Sequence, residues 1–297
     1  MSVKSYSMLS ASDREKVYDF YLRNSNKEMT NKELETCYRS EDFHFGQGVL
    51  VYFNDNNGNV EGKASLTLYE AGYKNVGYIV ETMVDNHIDN QMLVLTDMIK
   101  SIRTLAIDKG LNRLLLGTRL DTIKTLIEDL GYEMIYQGIK MSLDDILIRY
   151  PLLDIIPLLQ ENKNQYIRIF NEAFRDTPNA GTLKAEEIER HLTEKEDDKY
   201  YYIVTDGNTE MGFLQLKLNQ GMGEFDIGLL ERARGQGMGK RLLETAIATL
   251  VKKGATEVTL TVISGNEPAY EMYKKRGFRI KSFISDWYEI DFDEESS

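Results

Sequence analysis

Three turn glycines recur at a nearly fixed spacing along this 297-residue chain. Gly58 and Gly207 lie 149 residues apart, Gly110 and Gly254 lie 144 apart, and Gly131 and Gly277 lie 146 apart. Landmarks held at one offset are hard to obtain from unrelated segments, so the chain is constrained to one plan used twice. In each half a short strand (residues 6–9 or 155–158) leads into a helix (12–24 or 162–174). A second helix follows, opened in the first half by the capping box Thr30-Asn31-Lys32-Glu33 and spanning 184–194 in the second. Two strands then flank a turn, Asn56-Asn57-Gly58-Asn59 or Asp206-Gly207, as a hairpin requires. A further strand (76–84 or 224–230), a helix, a strand and a short helix complete each half. The order predicts an α/β (α+β) chain, with copies at residues 1–147 and 148–297 joined around residues 144–151.

Composition narrows the function classes. Lys and Arg number 36 against 48 Asp and Glu, a net charge of −12, which argues against an extended nucleic-acid footprint. The single Cys37 excludes an intramolecular disulfide and suits a reducing compartment; in a helical pattern it reads as a small buried hydrophobe. His44, His87 and His191 are far apart and share no metal-ligand spacing, so no metal is expected. Residues 1–8 lack the apolar core of a signal peptide, and no apolar run reaches the ~18 residues a membrane span needs. A cytoplasmic protein without membrane or nucleic-acid partners is expected. The oligomeric state is not legible.

The second half carries a stretch with chemical content. Arg234-Gly235-Gln236-Gly237-Met238-Gly239 runs directly into Lys240-Arg241-Leu242-Leu243, the start of an amphipathic helix. A helix's first turn has unpaired N–H groups and the positive end of a dipole, so such a loop can seat phosphate. Gly235, Gly237 and Gly239 let backbone approach an anion, and Arg234 and Lys240 add charge. Two competing phosphate motifs fail. A dinucleotide loop needs its third Gly one residue later, and a P-loop needs Gly where Arg234 stands and Ser or Thr where Arg241 stands. After the helix, residues 257–262 read as a strand. Residues 266–278 then read as a short helix opened by Asn266 and Pro268 and closed by Gly277.

Residues 234–239 resemble the R/Q-x-x-G-x-G/A signature of the GNAT acetyltransferase superfamily, and residues 266–278 resemble its N-x-x-A-x-x-x-Y-x-K-x-G-F segment at every named position. The resemblance implies two tandem GNAT folds, each a twisted mixed sheet flanked by helices, whose fourth and fifth strands splay apart. It implies acetyl-CoA as co-substrate, its pyrophosphate on the loop of Arg234, Gly235, Gln236, Gly237, Met238, Gly239 and Lys240. The backbones of Leu229 and Leu230 would pair with the pantetheine arm, with Phe225 and Ile227 as core neighbours, and Asn266 would hydrogen-bond the cofactor. Tyr273 matches the tyrosine that returns a proton to CoA sulfur. Glu224 and Asp226 are the candidates for the base that an amine near pKa ~10 requires.

The first copy lacks this chemistry. At matching offsets Arg234 falls on Asn90, Gly237 on Leu93, Gly239 on Leu95 and Tyr273 on Ile127. Tandem chains with one degenerate and one intact copy resemble a GNAT subgroup that includes mycothiol synthase. The expected activity is N-acetyl transfer from acetyl-CoA to a primary amine, by direct attack in a ternary complex, with a small-molecule amine as partner. The alternatives are a CoA-binding sensor without turnover, and an acetyltransferase for protein amino termini or lysines. The acceptor side is expected around residues 174–194.

Overall fold

The computed structural model of the chain describes residues 2–25, 27–68, 70, 73–177, 179–194 and 198–292. In chain order the first copy supplies β1 (Ser2–Ser5), α1 (Ala11–Asn24), α2 (Asn31–Tyr38), β2 (Val49–Phe53), β3 (Val60–Thr67), β4 (Val76–Val84), α3 (Gln91–Asp108), β5 (Arg113–Thr118), α4 (Asp121–Asp129) and β6 (Met134–Leu143). The second supplies β7 (Asp154–Pro157), α5 (Lys163–Ala173), α6 (Ala185–Glu194), β8 (Lys199–Asp206), β9 (Thr209–Asn219), β10 (Met222–Leu229), α7 (Met238–Lys252), β11 (Glu257–Ile263), α8 (Glu267–Arg276) and β12 (Arg279–Glu289). The expected first strand moves forward to Ser2–Ser5. Residues Tyr6–Met8 instead turn as a 3-10 helix that buries Tyr6 against Tyr38, ring centroids 5.3 Å apart.

The chain forms two compact units, Met1–Tyr136 with Ser285–Ser297, and Gln137–Ile284. These cut the chain differently from the sequence repeat at 147/148, because the last strand of each copy pairs away from its own helices. In the second unit β6 lies antiparallel to β11, Leu143 opposite Val258 and Gly138 opposite Ile263. In the first unit the end of β12 lies antiparallel to β5, Asp286 opposite Thr118 and Glu289 opposite Leu115. The row of backbone donors and acceptors along β5 and β11 is thereby satisfied, as a sheet requires. The first unit's strands run β1-β2-β3-β4-β5-β12 and the second's β7-β8-β9-β10-β11-β6, with β4/β5 and β10/β11 the parallel pairs.

In the second unit the sheet is covered on both faces. On one, α7 buries Leu242, Leu243, Ala246, Ile247 and Leu250, the stripe expected from its 3.6-residue period, against Phe225, Leu260 and Phe278. On the other, α5 and α6 bury Tyr166, Ile169, Phe170 and Ile188 against Phe213 and Leu230.

The segment that joins the copies is strapped onto α7 and α8. Arg276, buried at the end of α8, donates to Glu244 of α7 at 2.5 Å and to the carbonyls of Asp145 and Leu147 at 3.0 and 2.7 Å. Glu244 also accepts the Arg149 N–H at 3.2 Å, and Thr245 accepts that of Leu153 at 2.9 Å. With side chains 3% and 0% exposed, the Arg276–Glu244 pair is a buried ion pair, so removing one partner strands the other charge. Arg276→Met is expected to destabilise the protein by about 3–5 kcal/mol, measured by urea unfolding. A change within experimental error would show that water solvates Glu244.

Candidate functional site

β10 and β11 are paired over only three residues, Met222 to Glu224 against Glu257 to Thr259. Beyond them β11 continues along β6 while β10 continues along β9, so the two strands part. The Leu230 N–H donates to the Met211 carbonyl at 2.9 Å, which fixes the antiparallel phase: Leu229 opposite Gly212, and Ile227 opposite Leu214, are non-hydrogen-bonded pairs. The backbone groups of Ile227 and Leu229 therefore face the gap that β11 has left. Leu230, fully buried, has its amide committed to β9.

The glycine loop follows immediately. Gly235 and Gly237 take left-handed φ of 76° and 78°, and Gly237 caps α7 without a side-chain bond to the first turn. A Cβ at either would meet nothing within 4 Å; it is the left-handed backbone that calls for glycine. Gly239 is different: its Cβ would stand 3.1 Å from Met272 Sδ. Arg234 does not extend over the loop. Its Nε donates to the Leu229 carbonyl at 3.1 Å and its Nη2 to the Ala173 carbonyl at 2.8 Å, bracing the end of β10 against the end of α5. Gln236 donates back to the Arg232 carbonyl at 2.9 Å. Met238 begins α7, and the Lys240 Nζ lies 5.5 Å from the ring centroid of Tyr150.

From the other side of the gap, Asn266 caps α8 by accepting the Ala269 N–H at 3.4 Å. About two turns later Tyr273 packs its ring against Phe225 and Phe278. A cavity of about 360 Å³ occupies the gap. Leu229, Arg234, Gly239, Asn266 and Tyr273 line it, joined by Phe174, Asp176 and Thr177 after α5 and by Met272 of α8. Phe174, Asp176 and Thr177 fall in the segment flagged for the acceptor. Met272 carried no signal in the sequence, since a thioether on a helix reads as core.

Charge in the site is set by burial. Asp226 is an exposed position on β10, outside the lining of the cavity; desolvation by the neighbouring protein, reinforced by the negative charge of Glu224, pushes its pKa up to about 6. Glu224 itself lies 3.8 Å from Lys140 on β6. Burial, and then the Asp226 carboxylate, raises the Tyr273 phenol above its ordinary value, so it holds its proton at neutral pH. Among the described residues no cluster of His, Cys, Asp and Glu could hold a metal ion, and no helix is long and apolar enough to cross a membrane.

Residues 164–278 match the family described as the acetyltransferase (GNAT) family. That segment belongs to the GNAT family. A mycothiol acetyltransferase of Corynebacterium aurimucosum is 31% identical over 140 residues, 43% of this chain and 46% of the relative. One of Actinosynnema mirum is 30% identical over 123 residues, 39% of this chain and 41% of the relative. The chain thus spans less than half the length of the curated relatives it matches. Solved structures carry the likeness across the whole chain. A tandem GNAT protein from the clavulanic acid biosynthesis pathway superposes with TM-score 0.57 at 10% identity, covering 99% of each chain. A GCN5-related N-acetyltransferase from Sphaerobacter thermophilus gives 0.57 at 14% identity, over 98% of this chain and 95% of that one. At these identities the likeness is of fold: a tandem GNAT architecture.

The raised pKa of Asp226 in the GNAT domain has a sign that can be checked. Between the ordinary carboxylate value of 3.8 and about 6, the folded chain holds a proton that the unfolded chain releases. Stability therefore declines as pH rises through that window. Asp226→Asn is expected to unfold at a higher temperature than wild type at pH 7.5 and at nearly the same temperature at pH 4. A variant destabilised at pH 7.5 would mean that the carboxylate is stabilised in the fold.

Proposed function

We propose that the chain is a cytoplasmic N-acetyltransferase that moves an acetyl group from acetyl-CoA to the primary amine of a small molecule. The catalytic copy would be residues 148–297 and the degenerate one residues 1–147. The observation that carries the reading is the backbone edge of Ile227 and of the Leu229 amide, which β11 leaves unpaired, ending in a glycine-capped helix and faced by Tyr273. An extended amide-bearing arm can pair with such an edge as a strand would. The amides of Met238 and Gly239 at the start of α7 suit a pyrophosphate, while that of Lys240 donates to the Gly237 carbonyl at 3.2 Å. Arg234 supports this seat through its brace. That the matched relatives are named mycothiol acetyltransferases favours a small acceptor over a protein terminus.

In this reading the amine nitrogen attacks the thioester carbonyl, the N–C bond forms, and the C–S bond breaks. Asp226 takes the proton that the ammonium must lose, aided by its pKa of about 6. Tyr273 gives its phenolic proton to the departing sulfur, whose conjugate acid lies near ~8.5, and the second proton that the nitrogen sheds as the amide forms restores the phenol. Glu224 acts on Asp226 through charge.

Release of free CoA thiol in the presence of a panel of amines tests the activity; no release with any amine would favour a CoA-binding sensor. Tyr273→Phe keeps the ring and its packing, so acetyl-CoA affinity should hold while kcat falls by about 10²–10⁴-fold. Turnover equal to wild type, where chemistry limits the rate, would assign the proton to another donor. Calorimetry should give one CoA per chain, lost in Gly237→Leu, which forces a side chain into left-handed backbone. Two equivalent sites would overturn the assignment of the first copy as degenerate.

A further inference from the structure

Two rows of polar side chains cross β8, β9 and β10 on the sheet face that α5 and α6 cover in part. Residues directly opposed on neighbouring strands share a face. Tyr201, Gln215 and Asp226 make one row, and Lys199, Lys217 and Glu224 make the next. The helices close over the row beside them, where Ile203 and Phe213 lie in the core. Their cover ends at Tyr201, whose ring centroid is 6.0 Å from that of Tyr166 and 4.0 Å from that of His191. Beyond it Lys217 and Asp226 are exposed, and Gln215 and Glu224 are half-buried. The row of Glu224 is the last in which β10 pairs with β11, and the row of Asp226 is the first in which the two have parted. This polar shelf therefore begins where the gap begins. Burial dominates the raised pKa of the Tyr166 phenol on this face and of the Tyr273 phenol in the gap, and the charge of Asp226 adds to each, so the carboxylate acts on both sides.

The charges on the shelf are not matched within the chain. Opposite charges directly across a strand pair ordinarily attract, yet Glu224 pairs not with Lys217 but with Lys140 on β6, 3.8 Å away. Lys217 makes no ion pair among the described residues. On its other side it faces a second lysine, Lys199, and like charges so placed are destabilising. An anion seated at Lys217 relieves that repulsion. At Asp226 the sign is reversed: its charge and that of Glu224 oppose each other, and an ammonium group seated there offsets both. Lys217 and Asp226 are diagonal neighbours, with Cα atoms roughly 7–8 Å apart. Gln215, two residues from Lys217 and directly opposite Asp226, carries an amide that can both donate and accept.

We infer that the amine acetylated by this chain also carries a carboxylate: it is an amino acid, held with its amino group at Asp226 and its carboxylate at Lys217. The inference rests on the N-acetyltransferase reading and narrows its acceptor. The Lys217 ammonium donates charge-assisted bonds to the carboxylate, Gln215 bonds between the two ends, and Tyr201 forms the wall on the helix side. The carboxylate takes no part in the chemistry. The amino nitrogen forms the N–C bond as the C–S bond of the thioester breaks, and free CoA thiol leaves. Lys217 and Gln215 are then specificity residues that neither sequence motif includes.

Thiol release from acetyl-CoA by the full chain, followed with the common amino acids, their carboxamides and neutral amino sugars, tests this. For at least one amino acid, kcat/KM should exceed that of its carboxamide by about tenfold or more, the difference lying in KM. Lys217→Ala, at an exposed position, should bring that ratio close to one by raising KM for the acid, and Lys217→Arg should keep most of it. A neutral amine used as well as any amino acid overturns the inference while leaving the N-acetyltransferase reading in place, a result that needs no variant. So does a Lys217→Ala protein with the wild-type ratio. No thiol release with any amine removes the N-acetyltransferase reading itself, and this inference with it.

Discussion

β10 and β11 share three backbone pairs and then separate, and the working geometry of the second copy depends on that short ladder. Longer pairing would consume the outward backbone groups of Ile227 and Leu229 in the sheet and close the gap that the cavity occupies. Shorter pairing would free β10 from the register that aims them. The parting is sustained from both sides. β9 holds β10 through eight opposed residues, and β6 holds β11 through six. At the end of β10 the Arg234 guanidinium ties the Leu229 and Ala173 carbonyls together. The same brace sets where the chain leaves the sheet, and two left-handed glycines then turn it into α7 with its first amides uncapped by any side chain.

The two copies separate architecture from chemistry. The first copy keeps the strand order and a parallel pair, β4 with β5, yet enters α3 through Asn90 at φ −102°, without a left-handed turn. Val94 and Leu95 in the first turns of α3 are fully buried, and a Cβ at Gly62 of β3 would stand 2.6 Å from Val94. There α3 packs directly onto β3. The apolar stripe that folds the helix survives there; the loop that would serve an anion does not.

Much of this was legible in the sequence because local rules fix it. The stripe of α7, the Asn266 cap and the left-handed Gly254 and Gly277 are short-range features, and they fall where periodicity and capping put them. What was not legible depends on partners distant in sequence. Leu229 and Leu230 are alike in composition; only the bond from the Leu230 amide to Met211 shows that one faces the gap and the other does not. Arg234 and Lys240 both read as counter-charges for a phosphate. The first is held by two carbonyls of which one is 61 residues away, and the second lies beside Tyr150 of the linker. The exchange of β6 and β12 left no mark either, since an edge strand has the same alternation whichever neighbour it meets.

In the proposed reaction Asp226 and Tyr273 would carry two opposite proton transfers in one environment. Burial raises both pKa values, bringing the carboxyl close to neutrality and moving the phenol away from it. Burial alone would make Tyr273 a reluctant acid. Part of its shift, however, comes from the negative charge of Asp226, and that part is conditional. In the proposed reaction Asp226 loses its charge when it takes the amine's proton, before or as the C–S bond breaks. The repulsion that opposed ionisation of Tyr273 then disappears, at the stage when a thiolate develops and needs a proton. In that reading the two groups would act as a coupled pair rather than as independent acid and base. Glu224, by raising Asp226, sets how readily the first transfer releases the second.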